Sequence, residues 1–214
     1  MTSVNIVVLV GFVKKGIGDL KDILKKNMCW VPSGSSTWEQ PNSTTFIFKS
    51  YKGQIGSAVG DNQPMPGKYL FKERQEARTD YLGPGHYIWN ADVEILADKL
   101  FHAPVFYLMQ LHDDRNHGSP SASVTINDRK IFINSEDGKT QIPQKYTGKH
   151  HIETDFNYNG GSSAKIKIVL DYKDEVIFDS NITTGLYLKF GVYRWNAICD
   201  VKQTYTNVTF EKIG

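Results

Sequence analysis

Cysteine is nearly missing from this 214-residue chain: Cys29 and Cys199 stand near opposite ends, which excludes a disulfide-dense scaffold and a zinc-type cysteine pattern. Two separate reduced thiols, buried as small apolar residues, are the favoured reading, with a Cys29–Cys199 pair the alternative. An excess of one charge is missing too. Twenty-five Lys and Arg face 23 Asp and Glu, a net of +2, and the basic residues form no long run, so no nucleic-acid partner is expected. The apolar stretch Val4–Val13 is too short to span a bilayer. It lacks the basic segment and small-residue cleavage site of a signal peptide. Sequons at Asn42, Asn181 and Asn207 matter only in a secretory pathway, so the compartment stays open, extracellular and virion-associated settings included.

Long helical patterning is also lacking. The exception is KKGIGDLKDILKK, where Ile17, Leu20, Ile23 and Leu24 recur at helical spacing and predict a short amphipathic helix packed on the domain. Residues 1–27 are thus expected to form an apolar strand and helix packed on the single domain that 28–214 build.

Aromatic residues are plentiful: eleven Tyr, eleven Phe and four Trp suit strands and sugar-stacking surfaces. From TTFIFKSYKG onward, short segments with period-two alternation follow one another: KYLFKERQEARTDY, HYIWNADVEIL, VFYLMQLHD, SASVTIND, KIFINSE, HHIETDFNYN, AKIKIVLDY, EVIFDS, LYLKFGVYRW and YTNVTFEKI. Turn residues punctuate them, and YKDEVIFD reads as a hairpin crossing at Lys173 and Asp174. The expected fold class is all-β, a two-sheet antiparallel jelly-roll sandwich with a short N-terminal helix.

Three segments carry polar residues at alternate positions. Arg74, Glu76 and Arg78 share one strand face, as do Gln110 and His112. In YLKFGVYRW, Tyr187, Lys189, Gly191 and Tyr193 share one face while Leu188, Phe190 and Val192 turn to the core. Gly191 lets a ligand or backbone come close. Taken singly, each face has an ordinary explanation: a solvated salt-bridged strand, satisfied polar groups at a sheet edge, or a tyrosine capping a core.

Together they resemble the three signature regions of alginate-lyase-like and glucuronan-lyase-like polysaccharide lyases, enzymes with a concanavalin-like β-jelly roll. RQEAR at 74–78 is similar to that group's R-x-E-x-R strand, QLH at 110–112 to its Q-x-H strand, and YLKFGVY at 187–193 to its Y-F-K-x-G-x-Y strand. The likeness covers residues 70 to 214, and the ending GVYRW is nearer to glucuronan-lyase and heparinase-like relatives. Ala77, Leu111 and Leu188 depart from the pattern, all at packing positions.

The resemblance implies a lyase that cleaves a uronate-containing acidic polysaccharide, of glucuronan or alginate type, by β-elimination. It implies catalytic roles for Tyr193, His112, Gln110 and Arg78, and substrate contacts from Arg74, Glu76, Lys189, Tyr187 and Arg194. No cofactor or metal is expected, and the chain is expected to act as a monomer on its glycan. The remaining histidines, His86, His102, His117, His150 and His151, lack ligand spacing and read as surface or loop residues. Two other readings keep the same fold: a non-catalytic glycan-binding module and a structural jelly roll such as a viral particle protein.

Overall fold

A computed structural model describes residues 24–25, 38–51, 72–97, 106–113, 120–135, 140–146, 148–161, 163–182, 185–195 and 199–213. The strands are β1 (Leu24–Lys25), β2 (Trp38–Asn42), β3 (Thr45–Ser50), β4 (Lys72–Thr79), β5 (Gly85–Ala97), β6 (Phe106–Asp113) and β7 (Ala122–Asn127). There follow β8 (Lys130–Ser135), β9 (Thr140–Lys145), β10 (Lys149–Tyr158), β11 (Ser163–Leu170), β12 (Asp174–Asn181), β13 (Leu186–Trp195) and β14 (Val201–Ile213).

They form two seven-stranded antiparallel sheets. The first runs β1-β4-β13-β6-β7-β8-β9 and the second β12-β11-β10-β5-β14-β3-β2. Neighbours far apart in sequence, such as β13 between β4 and β6, make this a jelly roll rather than a meander.

Alternation sorts the side chains. Leu188, Phe190 and Val192 of β13 point into the sandwich, as do Val93 and Ile95 of β5 and Ile152 and Phe156 of β10. An aromatic cluster ties the sheets together at their centre: the Phe190 ring centroid lies 5.2 Å from Phe46, 5.9 Å from Phe48, 5.6 Å from Trp89 and 5.2 Å from Tyr205. Such edge and tilted contacts add to the area that each ring buries.

The strands expected from TTFIFKSYKG to YTNVTFEKI are all present, and β2 and β9 join them. Both are outermost in their sheets and each carries a proline, Pro41 and Pro143. Proline cannot donate to a ladder and is tolerated at an edge, which hides such strands from sequence patterning. The expected helix lies outside the described residues except at its end, where Leu24–Lys25 pair with β4 as a strand.

Two further expectations are corrected. The β11–β12 hairpin turns at Asp171, Tyr172 and Lys173, because Leu170 already pairs with Asp174. Asp171 and Tyr172 take left-handed φ values of 53° and 60°, and the Lys173 amide donates to Leu170 O at 3.2 Å. Of the described histidines outside the three motifs, all on strands, His86 lies at the surface as expected and His150 does not. His150 is buried inside the sandwich with Nδ1 2.8 Å from Asp171 Oδ2, whereas His86 and His151 pair with Asp155 and Asp92 on half-exposed positions. His102 and His117 lie outside the described residues.

Candidate active site

Sheet order unites the three motifs. β13 lies between β4 and β6, so YLKFGVYRW is flanked by RQEAR on one side and QLH on the other. Lys189 stands opposite Arg78 and Gln110, Tyr187 opposite His112, Gly191 opposite Glu76, and Tyr193 opposite Arg74. Because register and alternation agree, Arg78, Glu76, Gln110, His112, Tyr187, Lys189 and Tyr193 share the face of the first sheet turned away from the core. The Arg74, Arg194 and Trp195 side chains lie outside the described residues. By backbone register Arg194 falls at the alternate position, opposite Glu73 and Phe106.

This face is not simply solvated. Glu76 is 5% exposed, Gln110 1% and Lys189 8%. Burial of that kind demands partners. Gln110 Nε2 donates to Glu76 Oε1 at 2.5 Å, a bond from β6 to β4 that passes over β13 where Gly191 has no side chain. Gly191 has φ 132°, backbone that other residues rarely adopt.

Tyr187 is the support for three polar groups. The His112 ring stacks on it with centroids 5.7 Å apart and planes 9° off parallel. The Arg78 guanidinium carbon lies 5.1 Å and the Lys189 ammonium 5.4 Å from its ring centroid, and Tyr81 packs edge-on at 5.5 Å. Rings placed this way favour cations. Neither cation has a carboxylate partner among the described residues, and Arg78 Nε is buried there without a hydrogen-bond acceptor. Two positive charges therefore sit on one polar face with no described carboxylate paired to them.

Sequence reasoning missed Tyr107. Strict alternation from Gln110 places it with Met109 and Leu111 on the core side. A bulge intervenes: Leu108 has no counterpart on β7, and β13 sets Gly191 and Val192 against Leu108 alone. Leu108 joins Phe106 in the core, while Tyr107 turns out beside Tyr193 and stacks on it at 4.9 Å. Burial raises the Tyr107 phenol above its ordinary pKa, and the Glu76 charge raises it further.

The polar row continues past the motifs. Gln110 pairs with Ser123 of β7, and Ser123 with Asn134 of β8, whose Nδ2 donates to Thr125 Oγ1 at 2.9 Å. No signal in the sequence marks these residues, since hydroxyl and amide groups at strand positions are common.

Neither a protein-family model nor a curated protein sequence matches the chain. Solved structures do. An alginate lyase of polysaccharide lyase family 7 superposes with a TM-score of 0.60 at 13% identity, over 90% of this chain and 95% of that one. An alginate lyase from Pseudomonas aeruginosa gives 0.59 at 14%, over 85% and 88%. One from Corynebacterium sp. gives 0.58 at 15%, over 85% and 83%. The protein therefore has the alginate-lyase-like β-jelly roll, a polysaccharide-lyase fold.

Proposed function

We propose that the protein is a polysaccharide lyase that cleaves a uronate-containing acidic polysaccharide, of glucuronan or alginate type, by β-elimination. The observation that carries this reading is that Arg78, Lys189, Gln110, His112 and Tyr193 share one face of three neighbouring strands, with both cations lacking a described carboxylate partner. One solved neighbour, a family 7 alginate lyase, was captured with substrate while carrying a histidine-to-asparagine and a tyrosine-to-phenylalanine substitution. Those substitutions belong to that protein, and the residue types fit.

The chemistry assigns the roles. The C5 hydrogen of a uronate is a poor acid because the adjacent carboxylate already bears a negative charge. Arg78 neutralises that carboxylate, and Gln110 and His112 hydrogen-bond it as charge develops in the enolate. Glu76 fixes the Gln110 amide so that no reorientation is needed at that moment. The base takes the C5 proton, the C–H electron pair becomes the C4–C5 double bond, and the C4–O bond breaks. Tyr193 gives its proton to the departing oxygen; the base is Tyr193 itself or His112, the two candidates for that step. Lys189 holds an acidic neighbour in the chain, with Tyr187 beneath it. Arg74 is the further proposed substrate contact on this face; Arg194, at the alternate position of β13, would have to reach the substrate from beyond it.

The test mixes purified protein with glucuronan, alginate and heparin and follows the absorbance of the new unsaturated uronate. A rise with at least one polymer is expected, together with a loss of about 10²-fold or more in Tyr193→Phe. Folded protein that gives no signal across the panel overturns the lyase reading and leaves a glycan-binding module.

A further inference from the structure

The bulge that brings Tyr107 beside Tyr193 takes backbone groups out of the ladder. Leu108 and Gly191 both lie in the buried interior, where an unpaired N–H or C=O is costly. One side chain from the opposite sheet serves both. Tyr205 of β14 is fully buried, and its ring crosses the core between Phe48 and Phe190, at 5.7 and 5.2 Å. Its Oη accepts from the Gly191 N–H at 3.2 Å and lies 2.8 Å from both Leu108 O and Gln203 Oε1.

A phenolate could not donate to either of those oxygens, so the arrangement requires the neutral phenol. Burial pushes the Tyr205 pKa well above the ordinary value; the Gly191 N–H acts in the opposite direction, and the Glu76 charge adds to the rise.

We propose that Tyr205 is a positioning residue: its hydroxyl ties together the bulged backbones of β6 and β13, and so sets the Tyr107–Tyr193 stack and the clearance over Gly191. It reaches no substrate and acts from the far side of the sheet. Its kinetic consequence rests on the lyase reading, but its geometric content does not. That difference makes the two separable by experiment.

Tyr205→Phe keeps the ring and removes the hydroxyl. On the polymer that the protein cleaves, kcat is expected to fall on the order of 10- to 100-fold with KM nearly unchanged, since a small misplacement of a reacting group is enough for that loss. The pH profile of kcat should shift with it, and 4-aminophenylalanine at position 205, which restores a donor, should recover most of the rate. A lowered Tm with unchanged kcat and pH profile overturns the proposal. In the wild-type protein the Gly191 amide should exchange as slowly as the flanking ladder amides. Exchange at the rate of an exposed amide also overturns it, without substrate or variant. If the wild type cleaves nothing, the lyase reading falls, and amide exchange alone decides the role of Tyr205. The same holds if Tyr205→Phe does not fold.

Discussion

Glu76 and Gln110 sit on strands that do not touch, yet their side chains meet at 2.5 Å because the strand between them presents Gly191. Antiparallel neighbours are about 4.8 Å apart, so the two side chains with their bond bridge about twice that distance. Gly191 leaves the position opposite Glu76 without a side chain. The functional reading of each motif therefore depends on the other two.

Replacing Gly191 tests this directly. Gly191→Ala adds a methyl group on the face that carries the Glu76–Gln110 bond and forces an L-residue into φ 132°. The expected cost is about 1–3 kcal/mol of stability by denaturant titration, with a loss of lyase activity greater than that destabilisation accounts for. Retained wild-type turnover would show that the bond is dispensable.

Removing the Glu76 charge should be visible in a neighbouring phenol. Glu76→Gln keeps an amide oxygen for Gln110 but removes the negative charge that disfavours ionisation of Tyr107. The Tyr107 pKa should therefore fall relative to wild type, read as a difference in the alkaline absorbance titration between Glu76→Gln and the same variant carrying Tyr107→Phe. An unchanged titration would separate the two groups electrostatically.

Salt should weaken substrate capture more than chemistry. If Arg78 and Lys189 hold an anionic chain, KM rises with ionic strength while kcat changes little, because the Debye length shrinks from about 10 Å at 0.1 M to about 3 Å at 1 M. Lys189→Met should flatten that dependence. A neutral glycan as substrate would give no slope in either protein.

Alkaline stability should be lost late and steeply. Burial pushes the Tyr146 phenol up to about 12, where it bonds with the backbone of Ile95 and Gly148. An unfolded tyrosine ionises near 10. Because the folded value is the higher one, the stabilisation is complete below pH 10 and disappears as pH climbs through about 12. Denaturant midpoints measured from pH 8 to 12 should be level to about 10 and then fall. Tyr146→Phe should remove part of that fall.

Much of this protein is local and therefore legible in its sequence. Alternation alone sorts Leu188, Phe190 and Val192 from Tyr187, Lys189 and Tyr193, because side-chain direction in a strand is a property of the backbone. The same rule marks ten of the strands after β3. It fails where the ladder is interrupted or peripheral: the prolines of β2 and β9 disguise edge strands, and Leu108 reverses the face of Tyr107. An N-terminal segment with helical spacing ends as the β1 strand, where pairing with β4 overrides local propensity.

What no pattern could supply is adjacency. Residues 74–78, 110–112 and 187–193 become one face only because β13 returns between β4 and β6. Tyr205 reaches Gly191 only because the second sheet packs β14 behind it. Side-chain direction follows from the backbone within a few residues, so the sequence determined the polar and apolar faces. Which faces meet follows from closing two hydrophobic sheets over a common core, so only the tertiary structure decided the site.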